Sequence, residues 1–431
     1  MTRIHLLGIG GSGVSALASV FLARGYEVSG CDLKESEATR RLQAAGARIS
    51  IGHDPEHVLG QDLVVYSGAV RAGAAELEAA HVRGIPALSR AESLAQLIRE
   101  SEAVAIAGTH GKTTLTFMLG RILTEAGLDP TVLVADGANA RAGAGRLLVA
   151  EADESDGTLV LHRPRHAVVT GIELDHPDHF PDLDAVRLVF AEFLANLPSD
   201  GIAVLCADGD GLDEMETPAR RVSYGFVGRD YTCTGDRPFR LLRRGRELGR
   251  ISLQVPGRHN VQNACGAAAM ALELGIPFAT AAGALAGFTG ARRRLERLGT
   301  WRGAELYDDY GHHPTEVTAT LQAARELPHR RLVLVFQPHR YSRLAALLDD
   351  FARSCEGADE ILVTEVYGAG EDNPRGLSGR DLADRVPGAR FAPDFESARR
   401  QLEELVKPAD LVLFMGAGDV WRLGHELAHA K

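Results

Sequence analysis

The 431-residue sequence predicts an α/β protein of three units, each built on a mostly parallel sheet. Three observations carry that prediction. Short apolar strands recur along the whole chain, helical segments alternate with them, and most strands end in glycine or in polar, chemically capable residues. Open parallel sheets place their ligands at such strand ends. The length suffices for two to four domains.

Residues 4–7 make the first strand, Gly8-Ile9-Gly10-Gly11-Ser12-Gly13 the turn after it, and Val14, Leu17, Val20 and Phe21 the apolar face of a helix. A strand at 28–31 ends on Asp32, and a later one at 63–66 ends on Ser67-Gly68. Strand, glycine turn, helix, strand is the pattern of a Rossmann-like nucleotide-binding sheet, here given residues 1–95. The central unit, residues 96–299, opens with a strand at 103–107 that runs into Gly108-Thr109-His110-Gly111-Lys112-Thr113-Thr114 and a helix. Strands at 147–150 and 167–170 carry acids and an imidazole at their ends, which makes this unit P-loop ATPase-like and mostly parallel. Residues 220–255 read as more antiparallel, and 260–274 as a helix of small residues. The third unit, residues 300–431, has strands at 332–336, 361–364 and 411–415 and reads as Rossmann-like.

Composition narrows the function. Apolar residues make up 45% and charged residues 24%, with 47 glycines, a globular balance suited to backbone-lined ligand sites. A net charge of -11 argues against wrapping nucleic acid. Cys31, Cys206, Cys233, Cys265 and Cys355 are scattered and form no close pair, so they read as neither a disulfide framework nor a zinc cluster. No leader precedes the first strand, and no apolar stretch reaches the roughly 18 residues of a spanning helix, so cytoplasm is the expectation.

Two glycine loops suggest two phosphate sites. In residues 108–114 the amides and helix start can surround phosphate, Lys112 adds a reaching charge, and the Thr113 hydroxyl suits Mg²⁺. The usual loop carries glycine where this chain has Ile106, so this is a shortened variant. The first loop, with Gly10, Gly11, Ser12 and Gly13 and with Asp32 placed for a ribose hydroxyl, reads as a nucleotide cradle or as a structural glycine turn. A second cradle backed by acids favours a nucleoside-diphosphate substrate in the first unit and ATP in the second. Within Glu151-Ala-Asp153-Glu154-Ser-Asp156, Glu151 is taken as a metal ligand, and His176 as a metal or phosphate contact. A solvated acidic face and a structural histidine are the plain alternatives. His259-Asn260-Val-Gln-Asn263 can fix a purine by amide hydrogen bonds, with helix capping by Asn260 as the other reading. Arg292-Arg293-Arg294 brings one guanidinium to phosphate, with Arg294 chosen, or is a solvated basic run. Asp308-Asp309-Tyr310-Gly311-His312-His313-Pro314 and Gln337-Pro338-His339-Arg340-Tyr341-Ser342-Arg343 combine acids, imidazoles and guanidinium groups able to grip a carboxylate.

With loop, acidic cluster, His-Asn segment and Asp-Asp-Tyr segment in this order, the chain resembles the Mur ligases over nearly its whole length. The segments 310–314 and 337–343 resemble the alanine-adding branch. The resemblance implies UDP-N-acetylmuramate in the first unit, ATP with Mg²⁺ (Mn²⁺ able to substitute) in the second, and L-alanine in the third. It implies that Lys112 grips the outer phosphates, that Thr113, Glu151 and His176 line the metal site, and that His259, Asn260, Asn263 and Asp309 belong to the nucleotide pocket. Gly10, Gly11, Ser12, Gly13, Asp32 and Ser67 would hold the sugar nucleotide. Tyr310 and His339 would border the alanine side chain with His312 nearby, and Arg340 and Arg343 would hold its carboxylate. No lysine lies between Lys112 and Lys407, so the carbamylated lysine of other Mur ligases is absent. No nucleic-acid or membrane partner is expected, and the chain is expected to be a monomer or weak homodimer. Three other readings stand beside this one: a ligase recycling a whole tripeptide onto the same sugar nucleotide, an NAD(P)-dependent dehydrogenase, and a non-catalytic nucleotide sensor.

Overall fold

The computed structural model describes residues 2–71, 73–134, 140–155, 157–177, 179–209 and 211–430. Asp156 of the acidic cluster lies outside the described residues.

The first unit comprises β1 (Arg3–Leu7), α1 (Ser12–Ala23), β2 (Glu27–Asp32), α2 (Glu37–Ala44), β3 (Arg48–Ile51), β4 (Leu63–Tyr66), α3 (Ala75–Val82), β5 (Ala87–Ser89) and α4 (Arg90–Arg99). Its sheet is parallel in the order β3-β2-β1-β4-β5. The order reverses at β1, so the glycine turn that follows β1 lies at the switch point where such sheets bind ligands.

The central unit has β6 (Glu102–Ala107), α5 (Lys112–Glu125), β7 (Thr131–Leu133), β8 (Leu147–Glu151), β9 (His166–Val169), α6 (Leu183–Ala195), β10 (Ile202–Cys206), β11 (Arg220–Gly225), β12 (Tyr231–Thr234), β13 (Phe239–Arg243), β14 (Arg246–Ile251), α7 (Arg258–Glu273) and α8 (Phe278–Ala286). The sheet runs β14-β13-β12-β11-β10-β9-β6-β8-β7, with β8 and β9 on either side of β6. The antiparallel reading of residues 220–255 holds from the β12–β13 hairpin onward, whereas β11 is parallel to both β10 and β12. Every residue of β6 after Glu102 is buried, as a strand covered on both faces requires. On α5, Leu115, Met118, Leu119, Ile122 and Leu123 fall at helical spacing and bury that face.

The third unit has β15 (Glu296–Trp301), β16 (Ala304–Asp309), α9 (Pro314–Arg325), β17 (Leu332–Phe336), α10 (Tyr341–Cys355), β18 (Glu360–Thr364), α11 (Gly379–Ala383), β19 (Arg390–Ala392), α12 (Phe395–Leu405), β20 (Leu411–Met415) and α13 (Trp421–His429). The order is β15-β16-β20-β17-β18-β19, parallel except for the β15–β16 hairpin.

Two of the expected divisions fall within regular elements. Helix α4 crosses the division at 95/96, because Leu94, Leu97 and Ile98 pack in one core with Val14 and Leu17 of the first unit and with Ala103 and Leu148 of the second. The third sheet starts at Glu296, not at 300, because Glu296 pairs with Asp308 in the β15–β16 hairpin. No helix among the described residues is long and apolar enough to cross a membrane.

Candidate active site

The turn from β6 into α5 depends on glycine at two places. Gly108 (φ 127°) and Gly111 (φ 82°) lie in the left-handed region. A Cβ on Gly108 would overlap the Thr170 hydroxyl, and one on Gly111 would lie 2.5 Å from Asn263 Oδ1. The loop is thus pressed between the end of β9 and helix α7, and only a bare backbone fits. Thr109, His110, Gly111 and Thr114 line a pocket together with His259, Asn260, Asn263, Arg294 and Asp309. The fold therefore gathers into one cavity residues that the sequence spreads over 200 positions. A glycine cradle at a helix start, with a lysine beside it, fits a polyphosphate.

Lys112 is turned back into its own loop. Its Nζ donates to Gly108 O at 2.6 Å and to the Glu154 carboxylate at 2.8 and 3.1 Å. Burial works to lower the lysine's pKa, but Glu154, Asp153 and Glu151 hold it above its ordinary value. Burial pushes Glu154, 2% exposed, up to about 7 against the pull of Lys112. The Thr113 hydroxyl donates to both Glu151 oxygens at 3.1 Å. A hydroxyl and a carboxylate at this spacing are hard oxygen donors that fit Mg²⁺.

His176 has its Nε2 3.6 Å from Asp175, with Asp153 and Lys112 among the charges acting on it. Burial lowers its pKa, so it is neutral and able to ligate. His110 sits between two acids, with Nδ1 3.4 Å from Glu316 and Nε2 3.6 Å from Glu173. Burial opposes its charge, yet the two carboxylates raise it to about 10. Burial pushes His259 down to about 4, and nearby Arg294 adds to that effect. Asn260 donates to Pro256 O at 2.6 Å and caps no helix end; Gly257 is the N-cap of α7. Of the three arginines, Arg294 faces the pocket, 3.6 Å from Glu316. Arg293 instead binds Asp308 at 3.0 Å and Gly416 O at 2.6 Å. Asp309 accepts from the Leu295 and Gly311 amides at 2.7 Å each, which fixes the loop that carries Tyr310.

The predicted amino-acid site is reorganised. Arg340 and Arg343 do not converge on one point. Arg340 takes a left-handed backbone (φ 69°) as N-cap of α10, and its guanidinium reaches Glu371 at 3.3 Å. Arg343, 1% exposed, donates to Asp175 at 2.8 Å across the junction between central and third units. The left-handed residue redirects the chain before the first helical turn, so three-residue spacing no longer places both side chains on one face. Around Arg343 stand His339, 3.2 Å from its Nη1, then His312 (ring centroids 5.7 Å from His339) and Tyr310 (5.4 Å from His312). Burial lowers His312 to about 4 and His339 to about 3, so both are neutral.

In the first unit, both Asp32 oxygens take backbone amides, of Gly10 and of Leu33, at 2.8 Å. This carboxylate therefore braces the glycine loop itself. Arg90, which the sequence reading passed over, packs so closely on Gly13 that a Cβ there would lie 2.5 Å from its Cδ. Arg90, Gly13, Glu151 and Asp153 line one small cleft, which joins the first loop to the metal-type acids. Glu154, Asp175 and Glu316 were also missed. The acidic cluster gave no rule for preferring Glu154, while Glu316 was visible only as the third residue of the helix that His313 caps.

Three α/β units, one with a lysine–threonine phosphate loop over carboxylates, define a nucleotide-using enzyme whose chemistry lies where the units meet. Residues 3–102 match the domain described as Mur ligase family, catalytic domain; residues 106–271 match the Mur ligase middle domain; residues 293–418 match the Mur ligase, glutamate ligase domain. The chain is 45% identical to a UDP-N-acetylmuramate–L-alanine ligase of Solidesulfovibrio magneticus, over 98% of this chain and 96% of that one. It is 44% identical to the same-named protein of Sorangium cellulosum, over 97% and 94%. The crystal structure of UDP-N-acetylmuramate-alanine ligase from Thermotoga maritima superposes with a TM-score of 0.81 at 28% identity, covering 99% and 98%. That of a murein peptide ligase from Psychrobacter arcticus gives 0.73 at 26%, covering both chains fully. The chain belongs to the Mur ligase family.

Proposed function

We propose that this chain is an ATP-dependent amide-forming ligase that joins L-alanine to UDP-N-acetylmuramate, giving UDP-N-acetylmuramoyl-L-alanine, ADP and phosphate. The observation that carries this reading is full-length identity of 42–45% to ligases of that name. The cluster of Tyr310, His312, His339 and Arg343, tied to the central unit through Asp175, supports it.

The muramyl carboxylate attacks the γ-phosphorus of ATP, and the bond to ADP breaks. The α-amine of alanine then attacks the acyl phosphate carbonyl, phosphate leaves and the amide remains. Gly108 and Gly111 let the backbone close around the phosphates, and Lys112 leaves Glu154 to neutralise charge at the transferring group. Arg294 contributes a second positive charge at the mouth of the same pocket. Thr113, Glu151 and His176 would hold Mg²⁺, which when bound supplies further charge neutralisation. Neutral His312 and His339 with Tyr310 wall a space for a methyl group, and Arg340 leaves Glu371 to bind the incoming carboxylate. Packing at the unit junction excludes water from the acyl phosphate.

The first glycine loop is read as a sugar-nucleotide site and not as a dehydrogenase site, since the surrounding domain is that of a Mur ligase. The structural likeness to a murein peptide ligase keeps a whole-peptide acceptor as the second reading. The test is ADP release with UDP-N-acetylmuramate and ATP, scanned over free amino acids and L-Ala-γ-D-Glu-meso-diaminopimelate. Release dependent on the tripeptide and indifferent to alanine would overturn the proposal.

A further inference from the structure

Beneath the first glycine loop, on the face of the sheet covered by α3, four elements bring together histidine, thiol and carboxylate groups that the ligase reaction does not use. His5 comes from β1, Cys31 from β2, His53 and His57 from the turn after β3, and Glu76 from α3. Cys31 Sγ lies 3.5 Å from Glu76 Oε1, and His57 Nδ1 lies 3.6 Å from the same oxygen. The ligand atoms of His5, Cys31 and His57 all lie within 4.8 Å of one another. Glu76 Oε1 already accepts the Asp54 amide at 3.0 Å, so Glu76 braces the cluster from the side.

A second observation points to a ligand. His5 is 2% exposed and Glu76 0%, yet His5 Nε2, His57 Nδ1 and Glu76 Oε2 have no hydrogen-bond partner among the described residues. Buried polar atoms are nearly always paired, and three orphans in one cluster call for a partner. His5 Nδ1 is engaged by Ser29 Oγ at 2.9 Å, which turns Nε2 inward. His53, at the exposed rim, binds Glu76 at 2.8 Å and marks the way in. A cation entering here displaces the Cys31 thiol proton, because the thiolate is the metal ligand.

We propose that His5, Cys31 and His57 form a site for a divalent transition metal of the zinc type, with Glu76 bracing it from the side, separate from the proposed Mg²⁺ residues. Two imidazoles and a thiolate are a zinc donor set; Mg²⁺ would reject the sulfur and nitrogen. The spacing escaped the sequence reading because the ligands come from separate strands, a turn and a helix. The location gives the metal a task. Cys31 O accepts the amides of Gly8 and Ile9 at 2.9 and 3.1 Å, so a metal on its thiolate would brace the first glycine loop.

The test uses the full-length protein, freed of metal by a chelator and titrated with Co²⁺ and then Zn²⁺. Expected is one equivalent giving a thiolate-to-cobalt charge-transfer band and the intense visible bands of tetrahedral cobalt, both erased by Zn²⁺. Cys31→Ser should lose the charge-transfer band, and His57→Asn should weaken Co²⁺ and Zn²⁺ binding at least tenfold. A wild-type protein without the band, a band surviving in Cys31→Ser, or unchanged affinity in His57→Asn would each overturn the proposal. If Cys31→Ser does not fold, the wild-type spectrum and the His57 variant decide it.

Discussion

Lys112 Nζ and Glu154 Oε2 are 2.8 Å apart, in a pocket where Glu154 is almost fully enclosed. The lysine proposed to grip phosphate is thus already matched by a carboxylate of the chain itself. Burial sets Glu154 at about 7, so its charge changes across the working range. As pH falls through 7, Glu154 takes up a proton and Lys112 becomes free for phosphate. Binding of a non-hydrolysable ATP analogue should therefore tighten several-fold between pH 8 and pH 6. In Glu154→Gln it should be tighter at pH 8 and nearly flat with pH. Calorimetry across that range checks this, and a pH-dependent Glu154→Gln profile would remove Glu154 from the account.

Glu151 accepts the Thr113 hydroxyl, and the proposed reaction assigns it to the metal. Glu151→Gln should leave UDP-N-acetylmuramate binding within about twofold while turnover falls roughly a hundredfold, since a metal site contributes several kcal/mol to the transition state. Steady-state rates over a Mg²⁺ series and sugar-nucleotide calorimetry separate the two effects. Unchanged turnover at limiting Mg²⁺ would reject the role.

The two arginines of the 337–343 segment should behave differently, because one is buried in a pair and the other is not. Arg343→Ala leaves Asp175 buried without its partner and should cost about 3–5 kcal/mol of stability. Arg340→Ala breaks a partly exposed pair with Glu371 and should cost about 1 kcal/mol or less. It should raise KM for alanine well above any change in KM for ATP. Denaturant unfolding and acceptor kinetics of both variants test this. Impaired ATP use in Arg340→Ala with alanine KM unchanged would move the segment to the nucleotide site.

Acid should open the junction between the central and third units. Burial works to raise Asp175, but the charge and hydrogen bond of Arg343 hold it well below the usual carboxylate range. A depressed folded pKa contributes stability above the unfolded value, about 3.9, and that contribution is lost as pH falls below it. Wild-type stability should therefore drop steeply below pH 4, and Asp175→Asn, weaker at pH 7, should show a shallower slope there. Equal slopes in both proteins would show that this pair is not the acid-sensitive contact.

Much of the protein was legible in the sequence because the signals are local. Gly8 to Gly13 and Gly108 to Thr114 each follow an apolar strand and open a helix, and the strands at 332–336 and 411–415 are unbroken apolar runs; such patterns need no knowledge of distant residues. The partner of each charge was another matter. Arg340 and Arg343 are three apart, but a left-handed backbone at Arg340 and a carboxylate 168 positions before Arg343 send them to different places. Glu154 stands in an acidic run with no local mark of its burial, and its match to Lys112 exists only because β8 lies beside β6. His5, Cys31, His57 and Glu76 have no metal-ligand spacing, and only the packing of α3 on β1 and β2 gathers them. Local periodicity and turn chemistry are set by neighbours along the chain. Charge pairing and burial depend on which strands lie side by side, and that was decided only by the folded sheets.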